Sequence, residues 1–269
     1  MNLNLKGKIA LITGSTNGLG KTIAVALAEE GVDVIINGRS NKKVDDTAKE
    51  IRRKFNNRVH VYQCTCDVTD SNKIKKFFHE QMPQIGRLDI LINNVGHVEK
   101  FGSFIDITDK DWMQCYNLVC MSAVRFTREA IPFLAASHHG RIINISSLSS
   151  HQPGNFNHHY AAAKAAMNTL TKQLATSLGN MNILVNAICP STIDSESWRQ
   201  NIKYRAKINK ISIKKARDAM EHEESKKSPL SRMGKLENVA DMVVYLSSDK
   251  ANFQTGHIYN IDGGATKGL

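Results

Sequence analysis

Hydrophobic positions along this chain fall into two alternating textures. Short runs rich in Ile, Val and Leu occur at KIALIT (8–13), DVIIN (33–37), RVHVYQC (58–64), LDILIN (88–93), RIINIS (141–146), NILVNAI (182–188) and HIYNI (257–261). Several are nearly continuous in apolar residues, the pattern of strands covered on both faces of a parallel sheet. Between them lie longer stretches with apolar residues at helical spacing, such as Ile23, Leu27 and Ala28, or Val239, Val243 and Leu246. Strand and helix alternating in this way predict an α/β fold, a doubly wound parallel sheet with right-handed crossovers. No repeat, low-complexity tract or Pro/Gly/Ser linker divides the chain, so one domain is expected over 1–269.

Candidate chemistry begins right after the first run. Thr13-Gly14-Ser15-Thr16-Asn17-Gly18-Leu19-Gly20 follows a strand and opens a helix near Lys21. Gly14 permits a tight exit from the strand, Gly18 lets backbone approach a pyrophosphate, and Gly20 lets helix and strand pack closely. Free N–H groups at the helix start then face the phosphates of a dinucleotide. The second strand ends Asn37-Gly38-Arg39-Ser40, with no acid to hold a ribose 2′-hydroxyl. Arg39 can instead bind a 2′-phosphate, so NADP(H) is expected to be preferred over NAD(H), with no basic partner at Asn17.

A second cluster lies in HYAAAKAAMNTLTKQLA, an alanine-rich helical pattern in which Tyr160 and Lys164 stand four apart and share a face. A tyrosine titrating near ~10 exchanges protons poorly at neutral pH unless a nearby cation lowers its pKa, and Lys164 is placed to supply one. Ser147 lies thirteen residues before Tyr160, just past the strand RIINIS.

TGSTNGLG, Asn93-Asn94-Val95-Gly96, Tyr160-Ala-Ala-Ala-Lys164 and the closing Asp262-Gly263-Gly264 occur in the order seen in short-chain dehydrogenase/reductases. The whole chain resembles that family, especially its 3-oxoacyl-[acyl-carrier-protein] reductase-like members. The resemblance implies a Rossmann-type sheet of about seven strands and hydride transfer between a nicotinamide and a carbonyl or secondary alcohol. It implies Tyr160 as general acid or base, Ser147 as the hydroxyl on the substrate oxygen, and Lys164 as tuner of the tyrosine and holder of the nicotinamide ribose. Asn117, within DWMQCYNLVCMSAVRF, matches the asparagine of a water relay to the lysine. Cofactor contacts are implied for Gly14, Ser15, Asn17, Gly18, Leu19, Gly20, Arg39, Asp67, Val68, Asn94, Gly96, Tyr160, Lys164, Pro190 and Ile193. The bland alternative for Asp67 is a strand-end cap. Two departures stand out in Cys189-Pro190-Ser191-Thr192-Ile193-Asp194-Ser195: Ser191 replaces a glycine, and Ser195 replaces a threonine. Candidate substrates include a 3-oxoacyl thioester. The rival reading is a nucleotide-binding regulatory protein of the same fold with little turnover.

The segment 195–233 corresponds to the family's substrate-covering lid and is long and basic. Ile202, Ile208, Ile211 and Ile213 are candidates for a substrate-facing row, and the lysines for a solvated face or a contact with an anionic carrier. Across the chain 36 Lys and Arg oppose 25 Asp and Glu, a formal charge of +11. The charge is not arranged as one stripe interleaved with aromatics, so nucleic acid is not expected as a partner. Five cysteines form no CxxC pair and His97, His151, His158 and His159 follow no ligand spacing, so no metal is expected. No run approaches the ~20 apolar residues of a membrane span, and the N-terminus lacks a signal-peptide layout. The expectation is a cytoplasmic homodimer or homotetramer acting on a small carbonyl compound, with neither membrane nor nucleic-acid partner.

Overall fold

The computed structural model describes residues 2–154 and 156–267. Seven strands form one parallel sheet: β1 Ile9–Ile12, β2 Asp33–Gly38, β3 Val61–Thr65, β4 Ile90–Asn93, β5 Arg141–Ile145, β6 Leu184–Pro190 and β7 Ile258–Ile261. Their order is β3-β2-β1-β4-β5-β6-β7, so the winding reverses between β1 and β4. That reversal opens a crevice at the carboxyl ends of the strands, where such sheets bind ligands.

Helices cover both faces. In chain order they are α1 Gly18–Glu29, α2 Asn41–Lys54, α3 Ser71–Lys76 with its π-helical turn into α4 Met82–Ile85, α5 Asp109–Tyr116, α6 Ser122–Ala136, α7 His158–Leu178, α8 Glu196–Ile208, α9 Ile213–Ser225 and α10 Leu236–Ser247. Side chains alternate across each strand. Ala10, Ile12, Ile90 and Ile92 meet α1, α2 and α10 on one face, while Leu11, Leu91 and Ile142 meet α6 and α7 on the other. The central strands β1, β4 and β5 are buried throughout, whereas the edge strands β3 and β7 are only partly covered. The third starts late: pairing begins at Val61 opposite Val34. Asn56 and Asn57 before it take left-handed φ of 50° and 55°, so the chain turns there instead of extending.

Two polar knots tie the sheet to its helices. Asn37, fully buried at the end of β2, accepts from Gly14 N at 3.0 Å, and its Nδ2 donates to Cys64 O at 2.9 Å. This one carboxamide fixes the Gly-rich turn against β2 and β3. Asn144 on β5, also fully buried, accepts from Asn93 Nδ2 on β4 at 2.9 Å and donates to Thr171 Oγ1 on α7 at 2.9 Å. Buried networks of this kind are costly to break, because each orphaned group keeps its desolvation penalty. Among the described residues no helix is long and apolar enough to cross a membrane.

Replacing Asn144 with Leu removes one partner each from Asn93, which keeps Thr127, and from Thr171, which keeps Met167 O. Stability should fall by about 2–3 kcal/mol, read as a lower urea midpoint with an unchanged m-value.

Candidate functional site

A cleft of about 1410 Å³ runs along the carboxyl ends of β1, β2, β4, β5 and β6. Its first wall is the turn after β1. A side chain at Gly20 would meet Gly14 O at 2.5 Å and Asn94 Nδ2 at 2.6 Å, so only glycine lets α1 start this close to the strand. Asn94 Nδ2 donates to Thr13 O at 2.9 Å and holds the β4 exit against the same turn.

Every predicted site residue except Ser15 lines this cleft. Ser15 is fully buried behind it. Its Oγ donates to Ile12 O at 2.7 Å, its N donates to Asn37 O at 2.9 Å, and Asn37 N donates to its Oγ at 2.9 Å. These bonds consume both its N–H and its hydroxyl, so it braces the turn, and Thr16 takes its place in the wall.

At the β2 end, Arg39 is exposed on the rim beside Ser40 and Lys43. Lys43, in the first turn of α2, is a second cation on this stretch of the lining, where Asn17 offers none. As one lysine among many it carried no signal in the sequence. Ser40 caps α2 by accepting from Lys43 N at 3.4 Å. Asp67 Oδ1 accepts from Thr69 N at 2.8 Å and Thr69 Oγ1 at 2.7 Å, so the strand-end cap is present while the residue also lines the cleft.

The catalytic candidates converge at the β4–β5 end. Lys164 is 1% exposed, and its Nζ donates to Ile145 O at 2.6 Å. The same ammonium stands 5.7 Å from the centroid of the Tyr160 ring, within cation–π range. A Cβ on Gly96 would lie 2.7 Å from Nζ, so the glycine of Asn93-Asn94-Val95-Gly96 is the passage through which the lysine enters. Ser147 caps a short 3₁₀ turn, its Oγ accepting from Ser149 N at 3.2 Å. Asn117 starts a π-helical turn, Asn117–Met121, between α5 and α6, a distortion frequent at functional sites. Its Oδ1 accepts from Arg125 at 2.6 Å.

Electrostatics here differ from the sequence expectation. Burial pushes the Tyr160 phenol above its ordinary value, and the Ser147 hydroxyl only partly opposes this. Lys164 does not bring it down. Burial lowers the lysine itself to about 8, against weak opposition from Cys189, Cys115 and Cys120.

Other corrections concern the loop after β6, the α8–α9 segment and the histidines. Ser191 is not among the described residues with positive φ, so the missing glycine imposes no strain there. Ser195 Oγ accepts from Trp198 N at 3.2 Å as the cap of α8. Ile202 lies in the lid's own core with Trp198, Ala206, Ala216 and Met220, and Ile211 packs on it. Ile208 and Ile213 face solvent, and none of the four isoleucines lines the cleft. His97 lines it, whereas His151, His158 and His159 stay outside. Among the described residues no three His, Cys, Asp or Glu side chains are grouped to hold a metal.

The sequence profile described as Enoyl-(Acyl carrier protein) reductase, of the short-chain dehydrogenase/reductase type, matches residues 14–266. The chain is 32% identical over 269 residues to the uncharacterized oxidoreductase YvaG of Bacillus subtilis (strain 168), covering 100% of both. It is 31% identical over 264 residues to the 3-oxoacyl-[acyl-carrier-protein] reductase FabG of Thermotoga maritima, covering 97% of this chain and 99% of the relative. Its fold superposes on L-sorbose reductase from Gluconobacter frateurii, solved with NADPH and L-sorbose, at a TM-score of 0.92 with 30% identity and full coverage of both chains.

Between pH 8 and the ordinary lysine value of 10.5 the folded chain binds fewer protons than the unfolded one, because burial depresses Lys164. Stability attributable to this residue should therefore rise with pH across that window. The cost, on the order of 3 kcal/mol for such a shift, is fully present below pH 8 and relieved as the lysine loses its proton. Thermal unfolding of the wild type beside Lys164→Met should show the wild type gaining on the variant from neutral pH to pH 10.5.

Proposed function

Because the chain belongs to the short-chain dehydrogenase/reductase family, we propose that it is an NADP(H)-dependent oxidoreductase in which Tyr160, Ser147, Lys164 and Asn117 interconvert a carbonyl and a secondary alcohol. The observation that carries this reading is their convergence at one end of a single cleft whose other end holds Arg39 and Lys43. The cleft fits the cofactor: the Gly-rich turn leaves backbone open to a pyrophosphate, and the two cations offer a seat for a 2′-phosphate. When bound, the nicotinamide supplies or accepts the hydride.

The residues do the rest. Ser147 holds and polarises the substrate oxygen. Tyr160, kept protonated by its buried setting, gives its proton to that oxygen as a carbonyl is reduced. Lys164, anchored on the Ile145 carbonyl, holds the ribose and receives the relay. Arg125 grips Asn117 by its oxygen, which leaves the amide N–H groups for a water on the path to Lys164. An easily deprotonated lysine suits such a relay, because it can pass a proton on near neutral pH.

NADPH in the L-sorbose reductase structure, and the description of the related YwfH as an NADPH dependent reductase, support the same cofactor here. A regulatory protein with little turnover is not favoured, since no catalytic position is lost. We further infer one Rossmann-type domain with 195–233 as its lid, working in the cytoplasm as a homodimer or homotetramer. The exposed Phe104, Ile105, Met113 and Tyr116 around α5 support an assembled state.

Fluorescence titration should show NADPH binding well ahead of NADH. The double change Arg39→Ala and Lys43→Ala should weaken NADPH by about 10- to 100-fold and leave NADH almost unaffected, as loss of two charge-assisted contacts implies. Tyr160→Phe should cut turnover by about a thousandfold while NADPH still binds. NADH bound more tightly than NADPH, or full turnover by Tyr160→Phe, would refute the proposal.

A further inference from the structure

At the edge of the sheet, two thiols that the reductase chemistry does not use lie against each other. Cys64 is the last residue but one of β3, and Cys66 is the first residue beyond that strand. Side chains two apart on a strand share a face. Here the sulfurs stand 3.6 Å from one another, the one hydrogen-bonded thiol pair among the described residues. Cys115, Cys120 and Cys189 are buried in other parts of the fold.

The two sulfurs have different surroundings. Cys64 is fully buried in the core, whereas Cys66, 3% exposed, belongs to the wall of the cleft. A thiol without access to water keeps its proton, so Cys64 is the donor of the pair. Asn37 Nδ2 also donates to Cys66 Sγ at 3.3 Å, and more distantly to Cys64 Sγ at 3.7 Å. Donors on one sulfur favour its thiolate. The Cys64 contact holds Cys66 below the ordinary thiol value, against its own burial and the nearby Asp67 and Asp70, and Asn37 assists. Burial keeps Cys64 well above that value. A lowered thiol on a cleft wall, touching a protonated one, is the layout of a reactive cysteine with its resolving partner.

Local structure lets the pair close. A disulfide holds its sulfurs about 2.05 Å apart, so these must approach by about 1.5 Å. β3 is an edge strand whose ladder ends at Thr65 opposite Gly38, so Cys66 has no strand partner to fix it. Its carbonyl accepts instead from Asn37 Nδ2 at 3.3 Å. Asn37 in turn accepts from Gly14 N at 3.0 Å, so movement at the sulfurs reaches the Gly-rich turn through one carboxamide. The residues that follow Cys66, Asp67 and Val68, line the cleft themselves.

Resting on the NADP(H) reading above, we propose that Cys66 and Cys64 form a peroxide-sensitive modification site, a reversible disulfide whose closure loosens the Arg39 end of the cofactor cleft.

The oxidant is a hydroperoxide. With hydrogen peroxide, the Cys66 thiolate attacks one oxygen, the O–O bond breaks, and hydroxide leaves with that electron pair. Cys66 is then a sulfenic acid. The Cys64 sulfur attacks the Cys66 sulfur, the S–O bond breaks, and the departing hydroxide takes the Cys64 proton and leaves as water. In sum the two thiols lose two protons and two electrons, and one hydrogen peroxide becomes two waters. A bridge across a single intervening residue is strained, so thiol reductants reopen it.

The test treats the reduced, purified protein with excess hydrogen peroxide and counts its thiols after denaturation. Five free thiols should become three, with the tryptic peptide 59–73 lighter by two hydrogens and restored by dithiothreitol. NADPH affinity, read by fluorescence, should fall by about 10-fold or more in the oxidised form. By linkage, saturating NADPH should shift the dithiol–disulfide equilibrium in dithiothreitol buffers toward the dithiol by the same factor. Cys64→Ser removes the resolving partner, and dimedone should then capture Cys66 as its sulfenic acid. Cys66→Ala should abolish the effect of peroxide on NADPH affinity. The wild-type thiol count decides the bridge whether or not either variant folds.

Survival of all five thiols, a bridge to another cysteine, or a stable sulfinic acid on Cys66 without a bridge would overturn the modification site. A bridge that changes NADPH affinity by less than about twofold would remove the coupling to the cleft. Failure of the reduced protein to bind NADPH would sink the cofactor reading and the coupling with it, while the thiol count still decides the bridge.

Discussion

An ammonium with almost no access to water is the constraint around which this structure is arranged. Taking a charge out of solvent costs several kcal/mol even in a relaxed protein interior, and Lys164 meets that cost with one carbonyl, one aromatic ring and a gap in the backbone. Each of these comes from a different element. The carbonyl is the last of β5, the ring stands one helical turn earlier on α7, and the gap is Gly96 beyond β4. The Asn93–Asn144–Thr171 chain then locks those same three elements together underneath. The strain of holding a cation here is thus spread over the β4–β5 half of the sheet, and the site is as rigid as the core beneath it.

Much of this architecture can be read in the sequence because both-face burial leaves little choice of residue. A strand such as Leu11 between Ala10 and Ile12 must be apolar in both directions, and it shows as an unbroken run. The Gly-rich turn and the Tyr160–Lys164 spacing are legible for a related reason: close approach and a shared helix face each demand fixed intervals. What escapes is whatever depends on distant partners. Asn37 reads as a strand residue until the turn after β1 and the end of β3 are seen to converge on its carboxamide. Ser15 reads as a cofactor contact, while in the fold its hydroxyl faces inward to Ile12 O. The proton affinities of Lys164 and Tyr160 invert the simple expectation, because desolvation at this depth outweighs the pairwise charge effect.

Motif and pocket answer different questions. The motif brings Ser147, Tyr160 and Lys164 to one end of the cleft, and it can be read from the sequence alone. The pocket beyond it is assembled from Phe101 after β4, Asn157 before α7 and the lid, segments whose composition no motif constrains. The basic stretch 195–233 suggested a solvated face or an anionic carrier; Lys203, Lys207, Lys210, Lys214 and Lys215 are exposed outside the cleft, while Lys227 and Arg232 line it.

The α8–α9 hairpin has an internal economy of its own. Trp198, Ile202 and Ala206 of α8 close on Ala216 and Met220 of α9, and Arg205 clasps Glu223 across the pair through two bonds of 2.6 Å. Such a hairpin keeps its shape through contacts of its own, and Trp198, Gln200, Asn201 and Glu224 present it to the cleft. The hairpin and the sheet are thus held by separate sets of contacts, so damage inside one need not spread to the other, and the buried lysine's supports stay clear of both α8 and α9.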